Sequence, residues 1–299
     1  MTTPVNLASH LLDIFDFLPL SNRNHIVDGN FDNWITTSTA LAGISGNNAA
    51  AAMYYAAAGT TGVGTLTQNT FAPGAGINYP WLTQPSRFYA SLNMTTASTG
   101  TYAAGTAPNI FQRVESVRTL EGQSATFSLT AWSAAGMAIQ PFYVQSYGSG
   151  GSPSASPALV LIGNPIVLTA APTRYSVRLD IASLFSKALG TNGNDYLEIG
   201  LLIQPGVTGT VSTTQWQLER TSPYAPAAGL PTAFEYRGLG PELARVQRFY
   251  QNVSQTYTIT SNNNGSYFQI FGNTPMRAVP TVTLNASSGT ATASGGSSY

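Results

Sequence analysis

Two histidines, His10 and His25, are the only imidazoles in the 299-residue chain, and cysteine is absent. A His/Cys metal centre is therefore excluded on counts, and so is thiolate or disulfide chemistry. No Gly-x-Ser-x-Gly stretch supplies an activated serine. No glycine-rich phosphate loop carries the lysine it would need, since Lys187 stands alone. A pair of carboxylates suffices to cleave a glycosidic bond. Here, however, Asp28, Asp32, Glu115, Glu121, Asp180, Asp195, Glu198, Glu219, Glu235 and Glu242 fall mostly at turns and strand edges, where solvated structural roles predominate. The chain reads as a non-enzyme. Binding chemistry is better represented. Sugar recognition takes aromatic rings that stack on a pyranose face, with polar groups that fix hydroxyls. Tyr54, Tyr55, Tyr79, Trp81, Phe88, Tyr89, Tyr143 and Tyr147 are the candidates. Trp132 joins them because it falls on the polar parity of its strand. A core position is the competing reading for each. Arg113, Glu115 and Arg118 make one charged face of a strand and read as surface ion pairs.

The elements that would position these residues are mostly strands. Phe127, Leu129 and Ala131 alternate with Thr126, Ser128 and Thr130. Val177 and Leu179 alternate with Arg174, Ser176 and Arg178, and Leu197, Ile199, Leu201 and Ile203 keep the same period. A period of two, punctuated by Gly and Pro, predicts antiparallel strands in two packed sheets. From Thr213 to Arg220, Trp216 and Leu218 face one way and Gln215, Gln217 and Glu219 the other, which predicts a half-buried strand. The Ala-rich run from Asn47 to Ala58 is read as a strand with loops. Pro241 to Tyr250 predicts one short amphipathic helix, with proline in its first turn and Leu243, Val246, Phe249 and Tyr250 on one face.

In order along the chain stand Asp28-Gly-Asn-Phe-Asp-Asn-Trp34, Gln112-Arg-Val-Glu-Ser-Val-Arg-Thr-Leu120 and Thr126-Phe-Ser-Leu-Thr-Ala-Trp132. Gly190-Thr-Asn-Gly-Asn-Asp-Tyr-Leu197 follows, then Gln217-Leu-Glu219, Phe234-Glu-Tyr-Arg237, Glu242-Leu243 and Gln247-Arg-Phe-Tyr250. This ordered set, over residues 26–251, resembles a module of bacteriophage tail-fibre and related virion proteins. Gly-Asn-Phe-Asp with a closing Gln-Leu-Glu strand is also similar to the carbohydrate-binding modules of glycoside-degrading enzymes. Together the resemblances imply an all-β protein: a galactose-binding-like β-sandwich jelly roll, then one short helix and a smaller β-rich C-terminal region. The carbohydrate-binding modules further imply a structural calcium, with Asp32 and Glu219 as its oxygen ligands. Against that, Thr214 stands where those modules carry an aspartate; a pair of capped strand ends is the other reading.

The expected organisation is an N-terminal attachment arm over 1–24, the jelly roll over 25–236, and the helix with a small β-rich region over 237–299. The arm is dense in Leu11, Leu12, Ile14, Phe15, Phe17 and Leu18, and reads either as a docking element or as an element folded back on its own domain. Asp13, Asp16 and Pro19 interrupt it, so it reads as neither a signal peptide nor a membrane span. Twelve basic and twelve acidic residues balance, and only 8% of residues are charged. Nucleic-acid binding is not expected of such a surface. Weak charge repulsion suits a symmetric assembly. The expected function is a structural one in a phage virion, made in the host bacterial cytoplasm. It would present or anchor a receptor-facing element of a fibre, tail or capsid appendage, as a homotrimer beside tail, portal, collar or capsid proteins. The helix face of Leu243, Val246, Phe249 and Tyr250 is the expected oligomer contact. A lectin-like module binding host surface glycan is the alternative, and a glycan-degrading enzyme the third reading.

Overall fold

A computed structural model of the chain describes residues 23–34, 38–43, 47–48, 54–74, 86–103 and 105–249. Among the described residues, thirteen strands form two antiparallel sheets. The first contains β1 (Ser38–Ala42), β4 (Val63–Thr70), β5 (Phe88–Thr96), β7 (Ser124–Trp132), β11 (Thr173–Asp180) and β13 (Gly209–Arg220), in the order β1-β4-β5-β13-β7-β11. The second contains β2 (Asn47–Asn48), β3 (Tyr54–Ala57), β6 (Asn109–Glu115), β8 (Ala138–Ser146), β10 (Ile166–Val167) and β12 (Tyr196–Ile203). Its order is β10-β8-β12-β6-β3-β2, and β9 (Val160–Leu161) also pairs with β8. The expected all-β sandwich followed by a short helix is what forms. The alternation in β7, β11 and β12 buries Phe127, Leu129, Val177, Leu179, Leu197, Ile199 and Leu201 between the sheets, as their parity predicts. The Ala-rich run supplies two short strands, β2 and β3.

Trp216 sits at the centre of the core. Its indole meets Tyr54 edge-on at 5.3 Å, Phe127 at 5.4 Å and Phe31 at 6.0 Å. The indole nitrogen donates to Thr213 Oγ1 at 2.6 Å, which satisfies the one polar atom the ring brings inside. A bulge between Thr214 and Gln217 bends β13 here, and Gln215 takes a positive φ of 55°. The freed backbone pairs with the incoming chain: Trp216 N–H donates to Gly29 O at 2.8 Å, and Asn24 Nδ2 donates to Trp216 O at 3.0 Å. A Cβ on Gly29 would stand 2.2 Å from Trp216 O, so only glycine admits this approach.

The half-buried expectation for β13 is wrong. Val211 to Glu219 are all buried, Gln217 and Glu219 included. The cover is a strap, residues 221–236, that crosses the outer face of β13, β7 and β11. Pro223, Pro226 and Pro231 reduce the backbone donors it must place. Ala225 and Gly229 N–H bond back within the strap, and polar side chains of the sheet meet three others. Thr232 N–H donates to Glu219 Oε1 (2.8 Å), Glu235 N–H to Gln217 Oε1 (2.7 Å) and Leu230 N–H to Thr126 Oγ1 (3.1 Å). Arg178 donates to Ala225 O at 2.8 Å and Arg174 to Thr232 O at 2.6 Å. The polar parity of these strands is therefore a binding face for the chain's own strap.

The helix α1 runs Leu239–Gln247, two residues earlier than expected and three shorter at its end. Gly238, at φ 59°, turns the chain into it. Val246 packs into the main core, with Phe249 against it. Glu242 is buried too: its carboxylate accepts from Asp28 N–H at 3.0 Å and lies 2.7 Å from Arg237 Nε. Arg237 Nη2 donates to Ile26 O at 2.5 Å. Val246 therefore serves the fold of its own chain and is not available as the expected oligomer contact. Leu243 is exposed, and Tyr250 lies outside the described residues. The arm residues Leu11 to Leu18 and the expected C-terminal β-rich region also lie outside them.

Candidate functional site

The outer face of the second sheet collects aromatic and charged side chains from three adjacent strands. In β6 the inward positions are Ile110, Gln112 and Val114, which leaves Phe111, Arg113 and Glu115 outward. Register then decides their company. Glu198 of β12 is opposite Arg113, Gly200 is opposite Phe111, and Tyr55 of β3 faces Phe111 from the other side. Tyr55 and Phe111 stack face to face, 5.3 Å apart and 8° from parallel. Phe142 of β8 meets Phe111 edge-on at 6.3 Å.

Arg113 lies at the middle of this face. Its guanidinium carbon is 4.4 Å from the Tyr196 ring centre, 4.7 Å from Tyr55 and 5.7 Å from Phe111. Each is within the range where a cation is attracted to a ring face. Nε donates to Glu198 Oε2 at 3.2 Å. The Arg113 side chain stays 40% exposed while that of Glu198 is 12% exposed. Burial raises the Glu198 pKa from its ordinary value, with Arg113 opposing the shift. A shifted carboxyl beside a fixed cation, on an aromatic surface, is a common mark of a functional site. Gly200 keeps the floor flat. A Cβ there would stand 2.5 Å from Phe111 Cβ and 2.6 Å from Ile110 O. At the end of β6, Glu115 pairs with Arg248 just beyond α1 at 3.0 Å.

The residues expected from sequence scatter. Tyr54 is a core residue, stacked on Phe31 at 4.3 Å, its hydroxyl donates to Asp28 O at 3.2 Å, and its burial leaves no surface for a ligand. Tyr147 is buried with Val117 and Leu184 and is likewise no contact residue. Trp132 is half-buried on the outer face of the first sheet, with Tyr89 at 4.9 Å and Phe71 at 5.8 Å. Tyr79 and Trp81 lie outside the described residues. Of the expected charged face, Arg113 takes Glu198, Glu115 takes Arg248, and Arg118 is exposed. Sequence reasoning missed Phe111, Tyr196 and the role of Glu198. Strand parity was the available signal, since Tyr196 and Glu198 alternate with core Leu197 and Ile199.

Asp32 and Glu219 do not fit a calcium site. Glu219 Oε1 accepts from Thr232 N–H and Gln217 Nε2, both at 2.8 Å, Oε2 accepts from Thr232 Oγ1 at 2.5 Å, and Arg23 Nε lies 3.4 Å away. Asp32 accepts from Asn30 Nδ2 at 2.6 Å. No cluster of three or more His, Cys, Asp or Glu suited to a metal occurs among the described residues. Both carboxylates hold loops: Glu219 the strap, Asp32 the turn at Asn30.

No family model matches the chain, and no curated protein does. Solved structures share its layout distantly. A protein classed as sugar-binding from Bacteroides thetaiotaomicron is 15% identical over 66% of this chain and 99% of its own, with a TM-score of 0.42. A tailspike protein domain of bacteriophage CBA120 is 13% identical over 66% of this chain, at a TM-score of 0.37. This chain spans 21% of that domain's length. The module TmCBM61, solved with β-1,4-galactotriose, is 12% identical over 67% of this chain and 99% of its own, at a TM-score of 0.34. Likeness at this level does not reach function, which has to come from the site.

Proposed function

We propose that the chain is a glycan-binding β-sandwich that a bacteriophage displays on a fibre, tail or capsid-attached appendage, with the outer face of the second sheet as its sugar surface. The observation that carries the binding role is the cluster of Tyr55, Phe111 and Tyr196 around the Arg113–Glu198 pair. The rings offer a pyranose apolar surface beside the cation, and a fixed guanidinium and carboxyl offer donors and acceptors to its hydroxyls. The same pairing argues against hydrolysis. Glu198 is tied to Arg113 and Glu115 to Arg248, so among the described residues this face presents no pair of carboxylates set for acid and nucleophile roles. The phage setting is supported by the ordered motif set from Asp28 to Tyr250. A glycan array probed with the full chain tests the binding role. Retention of a glycan by the chain, lost in Tyr196→Ala with folding intact, supports it; retention unchanged in that variant removes it.

A second reading, a structural role as a homotrimer among other virion proteins, draws on α1. Leu239 is 58% and Leu243 40% exposed, apolar surface that a neighbouring chain would cover. Sedimentation of the full chain tests this, with a monomer as the opposing result.

A further inference from the structure

We infer that the saccharide bound on this face is acidic, held through a carboxylate by the outer edge of Arg113; the inference rests on the glycan-binding reading above. A guanidinium carries five N–H donors in a planar fork. Arg113 spends one of them, at Nε, on Glu198. Its Nη1 and Nη2 groups make no hydrogen bond among the described residues, and the side chain is 40% exposed. The fork is also held in place. Tyr55 and Tyr196 lie 4.7 and 4.4 Å from its carbon, from the strands on either side of β6.

An arginine kept only to neutralise Glu198 would not need this clamp. A fixed fork with its end open matches two coplanar oxygens, which accept two parallel N–H bonds. A sugar hydroxyl uses half of that geometry. The neighbouring charges leave the edge unclaimed: Glu198 sits on the Nε side, and Glu115 is 3.0 Å from Arg248. Beside the fork, the half-buried Tyr55 and Phe111 rings stack on each other and leave apolar edges against which the C–H groups of a sugar ring can pack, so the carboxylate belongs to a saccharide rather than to a free small acid. Uronic-acid oligomers have this chemistry.

The test uses the full chain and an array holding oligouronates beside their methyl-esterified counterparts, with sulfated neutral oligosaccharides as a third arm. Charge-assisted bidentate bonding predicts that acid forms bind at least about tenfold tighter than their esters. Arg113→Lys keeps the charge but loses the fork, and is expected to weaken acid binding far more than ester binding, erasing most of that preference. Equal binding of acid and ester, or a preference that survives Arg113→Lys, overturns the inference and leaves the glycan reading standing. Preference for sulfated over carboxylated members also overturns it. If no member binds, or if Tyr196→Ala changes nothing, the glycan reading falls and the inference with it.

Discussion

Glu242→Ala removes the carboxylate that fastens α1 to the sandwich. In the folded chain this group lies 2.7 Å from Arg237 Nε and accepts from Asp28 N–H at 3.0 Å. The two side chains are 7% and 8% exposed. Without Glu242, Arg237 keeps the carbonyl of Ile26 as its partner and its charge stays buried. Breaking a buried ion pair from one side costs about 3 to 5 kcal/mol. Replacing both members by apolar groups, as in Arg237→Met with Glu242→Leu, removes the stranded charge. What remains is the Asp28 N–H without an acceptor, as in the single variant, and the Ile26 carbonyl without its donor, each costing about 1 to 3 kcal/mol and together less than a stranded buried charge. The double variant is therefore expected to be more stable than the single one. Urea unfolding, followed by the fluorescence of buried Trp216, reads the difference. With a slope of roughly 3 kcal/mol per molar, the single variant shifts the midpoint down by about 1 to 1.7 M. A single-variant loss below about 1 kcal/mol would mean that α1 is not anchored through this pair. A double variant no better than the single would refute the stranded-charge account.

Three further outcomes follow from the same structure. Leu179→Ala is expected to cost about 2 to 5 kcal/mol by cavity formation. Arg178→Ala, which loses the bond to Ala225 O that holds the strap, should cost about 0.5 to 1.5 kcal/mol; equal losses in chemical denaturation would contradict the assigned parity. Gly200→Val drives a methyl-bearing carbon into Phe111 and the Ile110 carbonyl, so thermal melting should show overpacking of about 1 to 3 kcal/mol together with weakened glycan retention. Burial without a contacting cation raises the Asp28 pKa well above 3.8, so the folded chain holds that proton to higher pH than the unfolded chain does. Its contribution to stability is then complete below the unfolded value and is lost as pH rises through the folded one. Urea midpoints across this range should fall less steeply with pH in Asp28→Asn than in the parent. Glu242, shifted in the same direction by burial, leaves some slope behind. An unchanged slope in Asp28→Asn would show that this carboxyl is already ionised in the fold.

Local pattern was enough to read part of this protein. Phe127, Leu129, Val177, Leu179, Leu197 and Ile199 alternate with polar neighbours, and a strand's side chains alternate wherever it is placed, so their burial was legible before any pairing was known. The helix near Pro241 and the all-β class followed from the same short-range regularities. Parity does not say what lies over the outward face. The strap 221–236 covers one half of the first sheet, which is why Gln217 and Glu219 are buried although their period marks them as outward. Nor does parity say which strands are neighbours. Tyr54 and Tyr55 are adjacent in sequence, yet one stacks on Phe31 in the core and the other on Phe111 outside. The candidate site required β3, β6 and β12 to lie side by side in one register, so that residues 55, 113 and 196 meet around a single guanidinium. Pairing between segments so far apart is set by the packing of the whole sandwich, and only the folded chain decides it.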